Sequence, residues 1–161
     1  MQPTSTYPLS EPRFEQGDEL LIAGLGERFS AGKTQGIVDL WQRFVPYIGR
    51  VPGQQGHETF GLCHSPDGEG GFEYLAGVRV SRTDELPSGF THQRLPARRY
   101  LVFRHQGPVN SIHETFAAIF QRWLPQSGLQ AADAPEFEYY SADFDPVAGT
   151  GWVEVWVPLN D

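Results

Sequence analysis

Residues 41–46 read Trp-Gln-Arg-Phe-Val-Pro, with Gly49 three positions on; residues 120–125 read Phe-Gln-Arg-Trp-Leu-Pro, with Gly128 three positions on. The pattern aromatic-Gln-Arg-aromatic-aliphatic-Pro-x-x-Gly thus recurs after 79 residues (120 − 41), near half of the 161-residue chain. Such a match marks a duplicated unit. Each copy sits on an amphipathic run. In the first, Ile37, Leu40, Trp41, Phe44 and Ile48 fall at helical spacings of three and four, and Pro46 kinks or ends the helix. In the second, Ile112, Phe116, Ile119, Phe120 and Trp123 make the stripe of a helix over about 112–124. Asn110 or Ser111 offers its N-cap, and Pro125 and Gly128 close it.

Strand patterns lie on either side of both helices. Residues 20–29 precede the first; Gly24 and Gly26 within them point to a bulge or a close backbone approach. Residues 58–64 and 72–81 follow it, joined by the hairpin sequence Pro-Asp-Gly-Glu-Gly-Gly at 66–71. In the second half, 100–105 precedes the helix, and 136–141 and 152–159 follow it around a hairpin loop at 145–151. The order strand–helix–strand–strand therefore occurs twice, in pseudo-repeats 13–82 and 91–161, after a flexible Pro/Ser/Thr-rich segment 1–12. The expected fold is α+β: a mainly antiparallel sheet, both helices on one face, and a central ligand cleft on the other face or between the halves.

The last strand, Trp152-Val153-Glu154-Val155-Trp156-Val157-Pro158-Leu159, alternates valine with Trp-Glu-Trp. The valine face fits a helix layer. The other sets a carboxylate between two indoles, which is either an edge-strand glutamate in solvent or the anionic floor of an aromatic pocket. A pocket of that kind favours a flat or cationic organic guest. Along 136–141, Phe137 and Tyr139 share one face, Glu138 and Tyr140 the other. If Phe137 packs under the helices, Glu138 and Tyr140 join Trp152, Glu154 and Trp156 on the pocket face, with Tyr74 from the matching strand of the first half.

Composition narrows the partners. Aromatics make up 13% of the chain and the net charge is −8, so a globular core is affordable and nucleic acid is disfavoured as a direct partner. Arg94, Arg98, Arg99 and Arg104 form the nearest thing to a basic patch and read as a solvated face. The N-terminus lacks signal-peptide features, no run is long enough to span a membrane, and Cys63 is alone, so a cytoplasmic protein is expected.

Taken together, Ala23-Gly24, Arg28-Phe29, Tyr74-Leu75-Ala76-Gly77-Val78, Leu95-Pro96-Ala97-Arg98-Arg99-Tyr100, Phe103-Arg104-His105-Gln106-Gly107, Trp123-Leu124-Pro125-Gln126-Ser127-Gly128, Pro135-Glu136-Phe137-Glu138-Tyr139-Tyr140 and Val153-Glu154-Val155-Trp156-Val157-Pro158 resemble the GyrI-like small-molecule-binding domain over residues 13–159. That domain occurs alone and as the effector-binding part of AraC-type and MerR-type regulators. The resemblance implies two pseudo-symmetric halves around a pocket for hydrophobic, often cationic compounds. It also implies a buried glutamate with aromatic neighbours, here Glu154 with Trp156 or Glu138 with Tyr140. A helix-turn-helix segment is missing, so direct transcriptional control is not expected.

Other motifs fail on spacing. Gly26 to Thr34 has five residues, not four, before Gly-Lys-Thr, so the phosphate cradle is wrong. His113-Glu114 lacks a second histidine at Ala117, Cys63-His64 has no further ligand pair, and no nucleophile elbow frames a serine. No metal, cofactor or catalytic residue is therefore assigned. The expected function is a stand-alone binder of hydrophobic or cationic small molecules, by sequestration or sensing, through Glu154, Trp156, Glu138, Tyr140, Trp152 and Tyr74. Two alternatives stand beside it. The same glutamate could serve a hydrolase that opens cyclopropane-containing electrophiles, as some GyrI-like proteins do, or the aromatic cleft could hold a protein partner's side chain.

Overall fold

A computed structural model describes residues 7–30, 35–145, 148 and 150–160. Its strands are β1 (Arg13–Gly17), β2 (Leu20–Phe29), β3 (Gln54–His64), β4 (Phe72–Val80), β5 (Thr91–Leu95), β6 (Arg98–Arg104), β7 (Glu136–Tyr140) and β8 (Val153–Pro158). They form one eight-stranded antiparallel sheet in the order β1-β6-β8-β7-β3-β4-β2-β5. Helix α1 (Gly36–Phe44) continues as a 3₁₀ turn at Val45–Tyr47, where Pro46 stops it. Helix α2 (Ile112–Ala118) passes through a π turn (Ile119–Trp123) into α3 (Leu124–Ser127). Both repeated glycines take left-handed φ, +87° at Gly49 and +79° at Gly128, which a Cβ would disfavour. Gly128 is the C-cap of α3, whereas the first segment ends at extended Ile48 and Gly49 sits in the turn that follows, where Arg50 N–H donates to the Tyr47 carbonyl.

The duplication is visible in the sheet order. The central pair is β3 with β7, and outward from it run β4-β2 on one side and β8-β6 on the other. Sequence reading missed β1 and β5, and these two strands exchange. The leading strand of the first half pairs with β6 of the second, and the leading strand of the second pairs with β2 of the first. Only residues 18–19 join β1 to β2, and only 96–97 join β5 to β6, although these strands lie towards opposite ends of the order. Links that short reach about 11 Å. The sheet must therefore roll up until its two ends meet.

The roll gives each face its own core. Under the helices, Leu40 and Phe44 of α1 pack with Ala76, Val78 and Val80, while Ile119 and Leu124 pack with Leu101, Phe103, Val155 and Val157. The valine face of β8 does meet the helix layer. Inside the curl lie Ile22, Phe60, Leu62, Leu75, Leu95, Tyr100, Val102 and Phe137. Close backbone approach, not a bulge, explains Gly24. It pairs with Gly77, and a Cβ on it would stand 1.9 Å from the Ala76 carbonyl oxygen.

Ser111 stands at the N-cap of α2 as expected, but its side chain makes no capping hydrogen bond; its hydroxyl donates instead to the Pro108 carbonyl at 2.7 Å within a preceding 3₁₀ turn. Buried His105 steadies that corner, with Nε2 2.8 Å from the Pro108 carbonyl and Nδ1 2.6 Å from Thr115 Oγ1. Of the segment expected to be flexible, residues 1–6 lie outside the described part, and the Tyr7 hydroxyl donates to the Gln106 carbonyl. The loop resembling a phosphate cradle also runs outside it, at 31–34.

Candidate ligand site

The cleft opens on the helix side of the sheet, between α1 and α2. Its volume is about 1540 Å³. Ile37, Trp41 and Ile48 come from the first helical stripe, and Ile112, Phe116 and Phe120 from the second. Each stripe is thus divided, part packed on the sheet and part forming a cleft wall. Central strands β3 and β7 supply the floor.

Glu138 stands in that floor at 7% exposure. Its Oε1 accepts two hydrogen bonds of 2.7 Å, from the hydroxyls of Tyr74 and Tyr140. Trp41 Nε1 donates to the Tyr74 oxygen at 2.9 Å, and the Trp41 ring meets Tyr140 edge-on at 5.3 Å. Phe144 closes the box against Tyr140 at 5.0 Å. Glu138 Oε2 takes no bond from a described residue and is not a buried orphan, so it is reached from the cleft. Burial pushes the Glu138 carboxyl above the ordinary carboxylate range, against the pull of the Tyr140 and Tyr74 hydrogen bonds. Both tyrosine hydroxyls are pushed well up, first by burial and then by the carboxylate, so they remain donors.

Room for this arrangement comes from a glycine. Gly61 lies opposite Glu138 on β3, and a Cβ there would stand 2.0 Å from the Tyr74 hydroxyl oxygen and 2.7 Å from Glu138 Oε1. Gly61, Trp41, Phe144 and Glu136 all belong to the cleft surroundings and were missing from the sequence-derived set. Trp41 was visible as a stripe residue, and Glu136 shares the face of Glu138 by strand period. Gly61 gave no signal beyond being a glycine inside a strand.

Of the six residues that the sequence singled out, the structure brings together Glu138, Tyr140 and Tyr74. It places Glu154, Trp156 and Trp152 elsewhere. The strand register decides this, because Phe137 pairs with Trp156 and Tyr139 with Glu154, while Glu138 and Tyr140 pair with Val155 and Val153. Directly opposed residues share a face. Phe137 therefore stacks on Trp156 at 5.4 Å inside the curl instead of joining the helix layer, which corrects the expected grouping. Glu154 is 3% exposed and bound by Arg13, at 2.7 Å from Nη1 and 3.1 Å from Nη2. Trp156 Nε1 donates to it at 3.2 Å, and Arg104 lies 3.6 Å away. Burial raises the Glu154 carboxyl, but the Arg13 hydrogen bonds and charge, with help from Trp156 and Arg104, bring it below the usual range. Trp152 is 41% exposed under the Arg104 guanidinium.

A cleft between two pseudo-symmetric halves, with a buried carboxylate in its floor, fits the family that residues 10–160 match, the GyrI-like small molecule binding domain. The chain belongs to this family. GyrI-like relatives include the transcriptional regulator BrlR of Pseudomonas aeruginosa, 33% identical over 136 residues, which are 83% of this chain and 50% of BrlR. The chain thus spans about half the length of that curated relative. The GyrI-like fold also appears in SAV2435 bound to tetraphenylphosphonium, with a TM-score of 0.74 and 22% identity over 94% of each chain. The EcmrR C-terminal domain matches with a TM-score of 0.66 and 15% identity, over 94% of this chain and 98% of that one. This GyrI-like chain is a small-molecule-binding domain. None of its described helices is long and apolar enough to cross a membrane.

Proposed function

We propose that this domain binds a hydrophobic cation between α1 and α2, with Glu138 as counter-charge, and works as a sensing or sequestering module. One observation carries the reading: a nine-tenths-buried carboxylate in an apolar, aromatic cleft, anchored through one oxygen and open to the cleft through the other. No described arginine or lysine pairs with it. A buried charge without a partner is costly, and a cationic guest supplies the partner. SAV2435, bound to tetraphenylphosphonium in its own structure, supports the same reading.

Titration with tetraphenylphosphonium, followed by tryptophan fluorescence and calorimetry, tests it. Trp41 lines the cleft and reports binding. Glu138→Gln keeps the shape and removes the charge. It should weaken the cation ~30-fold or more, from the ~2–5 kcal/mol cost of removing one partner of a buried charge pair. Neutral triphenylphosphine oxide should lose much less. Equal losses for both guests, or no binding of the cation to the wild type at high micromolar concentration, would overturn the reading.

A second reading rests on the same two tyrosines. A carboxyl with a raised pKa and a free oxygen can position water or move a proton, with the hydroxyls fixing its orientation. Hydrolytic opening of cyclopropane electrophiles would use Glu138 in this way. Incubation with such a compound decides the matter, since turnover at the buffer rate removes the enzyme reading and leaves binding.

A further inference from the structure

The cleft holds a second carboxylate. Glu136 lies two residues before Glu138 on β7, so the strand period aims it at the same face, and both line the cleft. Their neighbours across the central pair are Cys63 and Gly61. Glu136 is the less buried of the two, and no hydrogen bond or ion pair from a described residue reaches it. Two positions along a strand set the Cα atoms of the two glutamates about 7 Å apart, with both side chains on one face. The cleft is also larger than the ~300–1,000 Å³ usual for a drug-sized site. A guest seated on Glu138 therefore leaves room beside Glu136.

Building on the reading of Glu138 as counter-charge, we propose that the preferred guest is an aromatic dication with positive groups about 6–9 Å apart, one on Glu138 in the floor and one on Glu136. Neither carboxylate has a described arginine or lysine beside it, and holding a charge in an apolar wall without such a partner is costly. One flat guest with two charges relieves both. Burial pushes the Glu136 carboxyl up to about 7, so near neutrality it carries a proton for part of the time and a second positive group would expel it. Other titratable groups lining the cleft are Cys63, His57, His64, His113, Asp133, Tyr74 and Tyr140. Cys63 is held protonated by burial and by Glu138 and Glu136, and burial holds the His64 imidazole towards its neutral form.

Quaternary probes keep their charge at every pH and separate the possibilities. Calorimetry compares p-xylylene-bis(trimethylammonium) with 4-methylbenzyltrimethylammonium, which carries one charge on the same ring. The dication should bind the wild type at least ~10-fold more tightly at pH 8, and less so at pH 6. Glu136→Gln should erase that advantage and leave the monocation unchanged, whereas Glu138→Gln should weaken both. Equal affinity of the two probes, equal weakening of both by Glu136→Gln, or no binding of the dication overturns the inference. Failure of tetraphenylphosphonium to bind overturns the parent reading instead, so the two failures are distinguishable.

Discussion

The Glu138 side chain occupies the space that a side chain on Gly61 would need. The two residues oppose each other across β3 and β7, and the absence of a Cβ lets the carboxylate and the Tyr74 hydroxyl lie over the β3 backbone. Gly61 is needed here for volume rather than for backbone conformation, since its φ is not in the left-handed region.

Gly61→Ala should therefore push Tyr74 and Glu138 out of register. Overpacking of a filled site costs ~1–3 kcal/mol, readable in chemical denaturation. Tyr74→Phe removes the oxygen nearest the new methyl, so the double variant should lose less than the sum of the single losses. Strict additivity would show that the floor tolerates the methyl by another route.

Arg13→Ala should cost ~1–3 kcal/mol and leave guest binding unchanged. The deletion strands nearly buried Glu154, and a buried charge left unpaired is expensive, but Arg13 is itself 46% exposed and its loss is softened by water. Glu154 titrates below its unfolded value, so its stabilisation is present above about pH 4.5 and is lost as pH falls through the folded value. Stability measured from pH 6 to pH 3 should fall less steeply in Arg13→Ala than in the wild type.

Glu136 acts in the opposite direction. Its carboxyl is raised from 4.5 to about 7, so the folded state binds more protons than the unfolded state between those values. Stability from this group is full below about pH 4.5 and declines as pH rises to 7, by at most ~3 kcal/mol. Glu136→Gln should remove that part of the slope and raise stability at pH 8. An unchanged pH profile would mean that Glu136 titrates normally.

The sequence made the helices and their faces legible, because a stripe such as Ile37-Leu40-Trp41-Phe44-Ile48 is a local pattern. It could not divide the stripe between core and cleft wall, since Trp41 and Leu40 look alike in periodicity while only Trp41 lines the cleft. The pairing of Phe137 with Trp156 was out of reach for a related reason. Both faces of this sheet are buried under separate cores, so Glu-Phe-Glu-Tyr-Tyr carries aromatic residues on each face and alternation alone does not say which face looks outward. Glu154, expected beside Glu138, lies buried on the opposite face of the sheet. Its partner, Arg13, is 141 residues away in the chain. Strands β1 and β5 are short, polar at most positions and lie at the sheet edges, so they lack the apolar alternation by which the other strands were found.

The exchange of β1 and β5 bears on how such a fold can arise. A single half, strand–strand–helix–strand–strand, has no place for its own first strand, because that strand completes the sheet of the other half. Two identical halves would satisfy each other as a twofold dimer with swapped arms, each arm closing its neighbour's edge. Joining the two halves in one chain makes that association internal and lifts its dependence on concentration. It also frees the two copies to differ. Residues of the second copy can then place a carboxylate near the dyad, where Glu138 meets a glycine, without forcing a second carboxylate into the same space.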